Sequence, residues 1–267
     1  MTDAPARRPG RFRPSRLRAR LDAGDCPLGF HCFSGSAAVI EAAGAGGLDF
    51  AILDQEHSPN GPAVLAAAVR AADSVGVDLL LRVATLDAGL GALLDCGPAG
   101  LVVPQASAAR MARAGALARF APAGARGACP VVRAGGYGVA DWPAFAAEAN
   151  RELLLIALIE DAAGLSEAEE IARDPGVDAL FVGAFDLAVS LGLPPGELRS
   201  AGLLGPFEAV LAAAQGKPVM ASAGVEGSDY GQWLLAKGVR ILSCGADLQI
   251  VHRTARRLRA ELGSRQA

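Results

Sequence analysis

Phe50 to Arg82 reads FAILDQEHSPNGPAVLAAAVRAADSVGVDLLLR, and the alternation inside this stretch decides the fold. A short run, Phe50–Asp54, is apolar until its closing acid. A polar loop follows, then the Ala/Leu-rich Ala63–Ser74, then a second apolar run that ends in a base, Asp78–Arg82. A run of this length with no polar alternation reads as a strand covered on both faces. The segment between the runs carries helical spacing. The same rhythm recurs outward in both directions. Further apolar runs lie at Leu28–Phe33, Gly100–Pro104, Leu153–Glu160, Ala179–Gly183, Lys217–Ala221 and Val239–Cys244, with helical segments such as Ala37–Ala45, Ala109–Ala118 and Glu167–Arg173 between them. Eight strands alternating with helices predict an α/β fold closed as a parallel (β/α)8 TIM barrel, and 267 residues suit its typical size. An open doubly wound sheet is the second reading. It is weakened because no phosphate-binding glycine fingerprint follows the first strand. The glycines at 44, 46 and 47 precede a strand and read as a helix end and turn.

Composition sets the outer limits. Hydrophobic residues make up 52% and charged residues 20%, enough to bury a large core. A net charge of −3 gives no electrostatic case for binding nucleic acid. No apolar run is long enough to predict a membrane span, and the N-terminus carries no signal-like apolar core. Cys26, Cys32, Cys96, Cys129 and Cys244 are odd in number and widely spaced, which favours reduced thiols and a cytoplasmic setting. Seven arginines fall in the first twenty residues. Residues 1–13 read as a solvated basic tail, Pro14–Ala23 as a short helix, and 14–267 as one domain. Two stretches break the rhythm, Pro122–Asn150 and Leu191–Gly205, and long barrel loops tend to be lids or subunit contacts.

A barrel builds its site at the C-terminal ends of its strands. There the second run ends in Asp54-Gln55-Glu56-His57, the third in Arg82, the fifth in Glu160, and the sixth leads to Asp186. Each acid alone can be a helix cap. Glu160 and Asp186 together, with positions left for water and substrate, suit a hard cation such as Mg2+ or Mn2+. His57, close behind two acids, suits a general base with its tautomer fixed by an acid. Arg82 suits a developing oxyanion or a carboxylate. Absences narrow the chemistry. Lys217 and Lys237 are the only lysines, and neither closes a strand, which argues against imine chemistry. The histidines are too few and too scattered for a multi-histidine zinc site.

Phe50-Ala-Ile-Leu-Asp-Gln-Glu-His-Ser-Pro-Asn60 resembles the D-x-E-H-x-x-N signature of the metal-dependent pyruvate aldolases of the HpcH/HpaI family. The likeness continues through Leu81-Arg82, Leu94-Asp95-Cys96-Gly97, Leu101–Pro104, Pro122–Gly127, Arg133-Ala134, Gly136-Tyr137-Gly138, Leu158-Ile159-Glu160 and Phe181–Leu187, nearly the whole chain from about Pro14 onward. The resemblance implies a class II aldolase that reversibly cleaves 4-hydroxy-2-oxo acids to pyruvate and an aldehyde by way of an enolate. It implies a divalent cation, Mg2+ or Mn2+ with Co2+ as a further option, on Glu160 and Asp186. Backbone N–H groups of Gly183, Ala184 and Phe185 would hold the substrate carboxylate. His57, steered by Asp54, would move protons, and Arg82 would stabilise the enolate. Asp95 would serve a neighbouring subunit's site. The assembly implied is a homo-hexamer, a trimer of dimers, with the last helix, Ala246–Leu262, exchanged between subunits. The partners are then a 2-oxo acid and an aldehyde, with neither nucleic acid nor membrane. Four positions depart from the pattern: Leu158, Ala184, Ala188, and His31 where some members carry tryptophan. Alternative readings use the same site for oxaloacetate decarboxylation or another oxo-acid condensation, or retain the barrel only for binding.

Overall fold

The computed structural model describes residues 13–224 and 228–263. Its eight strands are β1 (Leu28–Cys32), β2 (Phe50–Asp54), β3 (Asp78–Arg82), β4 (Gly100–Val103), β5 (Leu154–Ile159), β6 (Ala179–Val182), β7 (Val219–Ser222) and β8 (Ile241–Ala246). All pair in parallel with their sequence neighbours, and β8 returns to β1, closing the barrel. Eight apolar runs therefore become eight strands, each within about two residues of its expected bounds.

Closure gives each strand two buried faces, and period two sorts the side chains between them. In β2, Phe50 and Ile52 point into the barrel, where they meet Leu80, Val102, Ile156, Leu158 and Phe181. Ala51 and Leu53 face the outer layer and pack under α2 (Ala37–Ala45) and α3 (Pro62–Ser74). Gly29 has no Cβ for a packing reason: one built there would lie 2.4 Å from the Phe50 ring.

The N-terminal mouth of the barrel is plugged. Ser15 caps α1 (Arg16–Asp22) by accepting from Arg18 N at 3.1 Å. Leu17 joins the interior cluster. Asp78, fully buried at the start of β3, accepts from Ser15 Oγ at 2.8 Å, Leu17 N at 2.9 Å and Arg13 Nη2 at 2.9 Å. Arg13 also pairs with Asp73 at 2.6 Å. The expected tail boundary is thereby corrected: Arg13 belongs to the folded barrel, and residues 1–12 lie outside the described residues.

The Pro122–Asn150 stretch also receives a correction. It contains a 3-10 turn, Arg133–Gly135, and α6 (Trp142–Glu152). Arg133 pairs with Asp73 and donates to the Cys96 carbonyl at 3.0 Å, so the segment docks at the entry ends of the strands and is no lid over this chain's own mouth. Leu191–Gly205, in contrast, borders the mouth through Pro195, Gly196 and Glu197. The last helix, α11, spans Asp247–Gly263, with Ala246 still in β8. Asp247 is its buried residue, while Leu248, Ile250, Val251, Leu258 and Leu262 are exposed. None of the described helices is long and apolar enough to cross a membrane. The five cysteines are free.

Candidate active site

The strand alternation that fills the barrel with hydrocarbon also makes its polar end. Continuing inward-facing positions one step past Ile52, Leu80 and Leu158 gives Asp54, Arg82 and Glu160. All three are buried. The register sets Asp54 beside Arg82 on adjacent strands, and Arg82 Nε donates to Asp54 Oδ1 at 2.5 Å. Burial alone would raise the Asp54 carboxyl. The Arg82 guanidinium and the N–H groups of His57 and Glu56 outweigh burial and hold it below its ordinary 3.8. With Nε committed, the guanidinium keeps its terminal nitrogens: among the described residues they make no hydrogen bond.

Asp54 also folds the loop that follows it. Its Oδ2 accepts from His57 N at 2.8 Å and Ser58 Oγ at 3.1 Å, and its Oδ1 from Glu56 N at 3.2 Å. Asn60 closes the loop, donating to the carbonyls of Asp54 at 2.9 Å and Phe33 at 3.1 Å. The expectation that Asp54 holds the His57 ring is corrected here. Asp54 grips the His57 main chain, and the ring's acidic neighbour is Glu56, 3.7 Å from Nε2. The His57 side chain is 60% exposed and stands at the rim. Glu56 is the residue whose part was not read from sequence. Its Oε2 is buried, makes no hydrogen bond among the described residues, and lies 3.6 Å from Arg82 Nε.

Glu160 extends just past β5, and Oε1 accepts from Gln105 N at 2.8 Å. Burial pushes its carboxyl up to about 7. The Gln105 N–H opposes that rise, Glu56 and Asp186 add to it, and Arg82 opposes it. Asp186 sits in the first turn of α8 (Ala184–Ser190), so it follows β6 and is not on a strand. Gly183 lets these pieces close up, because a Cβ there would fall 2.8 Å from the Glu160 Cβ. Its amide is not free for a ligand, however. Gly183 N–H donates to the Ile159 carbonyl at 3.0 Å, which leaves Ala184 and Phe185 of the expected trio.

A cavity of about 830 Å3 joins Arg82, Glu160, Asp186, Ala184 and Phe185 at this mouth. Glu56 and Asp186 each help to raise the Glu160 carboxyl, while Arg82 is already shared with Asp54. That surplus of negative charge suits a divalent cation. Among the described residues no cluster of three or more His, Cys, Asp or Glu side chains could by itself hold a metal; Glu160 and Asp186 could contribute two carboxylates, which leaves the remaining positions of a hard cation to water and substrate oxygens. Asp95 lies elsewhere. It ends α4 (Leu90–Asp95) at the entry side of β4 and accepts from Arg126 Nη2 at 2.7 Å. A larger cavity, about 1360 Å3, runs beside α11 and holds none of these charged groups.

The chain is 34% identical over 258 residues to a hydroxypyruvate/pyruvate aldolase of Paraburkholderia phytofirmans, covering 93% of this chain and 97% of that protein. It is 28% identical over 251 residues to a 5-keto-4-deoxy-D-glucarate aldolase of Klebsiella pneumoniae, covering 92% and 95%. The crystal structure of an HpcH/HpaI aldolase/citrate lyase family protein from Burkholderia cenocepacia superposes with a TM-score of 0.84 at 31% identity, covering 93% and 99%. The family model for HpcH/HpaI aldolase/citrate lyase matches residues 28–254, from the first barrel strand into the last helix, and the chain belongs to that family.

Proposed function

We propose that the chain is a class II pyruvate aldolase that cleaves 4-hydroxy-2-oxo acids to pyruvate and an aldehyde, with Mg2+ or Mn2+ held by Glu160 and Asp186. One observation carries the reading most directly: a buried guanidinium, anchored through Nε to Asp54, keeps its terminal nitrogens for a ligand in the cavity that Glu160 and Asp186 also line. When bound, the cation supplies Lewis acidity toward the 2-oxo group. The chain's residues do the rest. Arg82 offers charge-assisted hydrogen bonds to the oxygen on which negative charge develops. Ala184 and Phe185 present first-turn N–H groups to the substrate carboxylate. His57, with Glu56 beside its ring, takes the proton of the 4-hydroxyl. The C3–C4 bond then breaks, the aldehyde carbonyl forms, and the electron pair passes into the pyruvate enolate. Protonation of that enolate at C3 gives the methyl group of pyruvate.

The assembly belongs to the same proposal. Five exposed large apolar residues on α11 support a homo-oligomer, with the helix exchanged between subunits in a hexamer. In that assembly Asp95, remote from its own mouth, would serve a neighbouring subunit's site. The deciding experiment is exchange of pyruvate methyl protons in D2O, followed by NMR with Mg2+ and with chelator. Exchange that needs the cation and disappears in Arg82→Ala is the expected result. Absence of both exchange and cleavage of 4-hydroxy-2-oxo acids would overturn the reading.

A further inference from the structure

His31 is a polar side chain in an apolar part of the cavity wall. It sits near the mouth end of β1, only 9% exposed, between Phe33 and Phe181, whose ring centroids lie 6.1 and 5.8 Å from its own. Leu158 and Phe181 share the wall with it, and Arg82 and Glu160 stand in the same cavity. Nδ1 is 2.8 Å from Ser243 Oγ, a pairing made possible by closure of β8 on β1. Among the described residues the other ring nitrogen, Nε2, makes no hydrogen bond. Two nearby hydroxyls already have partners. Tyr230 OH accepts from Leu198 N at 2.9 Å, and Ser222 Oγ donates to the Ser243 carbonyl at 3.4 Å.

The ring is no proton carrier at neutral pH. Burial first, and then the nearby Arg82 charge, bring its pKa down to about 4 against the opposing pull of Asp54 and Asp247. A neutral imidazole has one donor and one acceptor nitrogen. Ser243 can satisfy either kind at Nδ1, because a hydroxyl rotates to donate or accept. The ligand group that answers Nε2 in either tautomer is, for the same reason, another hydroxyl. An alkyl group there would leave a buried polar nitrogen unmet.

We infer that His31 is a specificity-determining residue whose Nε2 hydrogen-bonds a substrate hydroxyl group carried on the reacting carbon or on the carbon beside it. The inference rests on the aldolase reading for the words donor and acceptor. The shared chemistry has two sources: a 3-hydroxyl on the 2-oxo acid donor, or an α-hydroxyl on the acceptor aldehyde.

The test compares the wild type with His31→Phe, which keeps the ring and removes both nitrogens, and His31→Gln, which keeps a hydrogen-bonding end. The donor arm measures Kd for 3-hydroxypyruvate and pyruvate by calorimetry with Mg2+ present. The acceptor arm measures kcat/KM for glycolaldehyde and acetaldehyde condensing with pyruvate. In at least one arm the wild type should prefer the hydroxylated compound. His31→Phe should cut that preference about tenfold, a hydrogen bond's share, and His31→Gln should recover part of it. The arm that moves identifies the partner bearing the hydroxyl. A wild type without preference in either arm, or a preference that survives in His31→Phe, overturns the inference. If wild-type pyruvate exchange and condensation are both absent, the aldolase reading falls, and the donor-arm Kd ratio still decides the role of His31. Circular dichroism of the variants confirms the fold, and His31→Leu, which also removes both nitrogens, takes the place of His31→Phe if that variant does not fold.

Discussion

Asp54→Asn should destabilise the protein by about 3–5 kcal/mol and silence the site as well, because removing one partner of a buried ion pair strands the other. Asp54 is fully buried, and four donors address its two oxygens: Arg82 Nε, Glu56 N, His57 N and Ser58 Oγ. Asparagine has one acceptor oxygen and puts an NH2 group where the other oxygen was. One pair of donors then faces a donor. Each unmet buried donor costs about 1–3 kcal/mol. These losses overlap with loss of the ion pair, so they do not add to it. Glu56 Oε2, 3.6 Å from Arg82 Nε, offsets part of the stranded charge. At about 2–4 °C per kcal/mol for a large domain, Tm should fall by about 10 °C.

The pH dependence separates this account from a generic packing defect. In the fold the Asp54 carboxyl sits below its ordinary 3.8. Its contribution is therefore complete above about pH 4 and is lost as pH falls through the lower folded value. Once protonated, the parent carboxyl is as neutral as asparagine, so the stability gap should close in acid. The assays are urea unfolding from pH 7 to pH 3 and pyruvate exchange at pH 7. Exchange should drop about a hundredfold, because both Arg82 and the His57 main chain lose their anchor. A variant within 1 kcal/mol of the parent at pH 7, or a gap that persists unchanged at pH 3, would refute the reasoning.

Four more outcomes are expected. The Glu160 carboxyl sits at about 7 in the fold against an ordinary 4.5, so its charging opposes folding as pH rises through that window; Glu160→Gln should raise the metal-free Tm at pH 8, by no more than about 3 kcal/mol of stability, while abolishing Mn2+ binding in calorimetry, and a lowered Tm with intact binding would contradict it. Protons and Mn2+ compete for the same carboxylate, so wild-type Mn2+ affinity should fall as pH drops below 7. At the opposite end of the barrel, Asp78→Ala removes three hydrogen bonds to the N-terminal plug; it should lower stability by about 3 kcal/mol or more and speed proteolysis near α1, leaving the pyruvate Kd unchanged. Light scattering should give a mass several times the 27.0 kDa chain, and Val251→Glu on the exposed face of α11 should shift it toward monomer.

The barrel was legible because strands buried on both faces cannot hide: runs such as Phe50–Asp54 and Asp78–Arg82 are apolar until the residue that turns to the mouth. Asp54, Arg82 and Glu160 were legible as site residues for the same reason, since strand period two places them inside. Legibility ended where backbone direction stops dictating side-chain direction. The acids of the Asp54–His57 loop could not be apportioned from spacing, and the structure gives Asp54 the main chain and Glu56 the ring. The Gly183 amide looked free because its partner, the Ile159 carbonyl, lies across a strand pair. His31 could be placed at a strand end, but its meaning depends on Ser243, 212 residues away, and no local pattern joins those two positions.

One barrel thus carries two energetic regimes on the same strands. Along β5, Leu154, Ile156 and Leu158 fill the interior with hydrocarbon, and the next inward side chain is Glu160. Each apolar layer stabilises the fold by about 1.5–3 kcal/mol per fully buried large side chain. The polar layer above works against it, with a carboxyl raised to about 7 and an imidazole lowered to about 4. Both shifts have burial as their largest cause, so the layer that favours folding creates the dry setting that disfavours the charged forms above it. A cation on Glu160 or a hydroxyl on His31 would relieve that penalty only at the mouth. Binding strength at this site is therefore tied to how completely the hydrocarbon layers exclude water, and substitutions that open the Leu158–Phe181 layer should weaken ligand binding without touching a ligand-binding group.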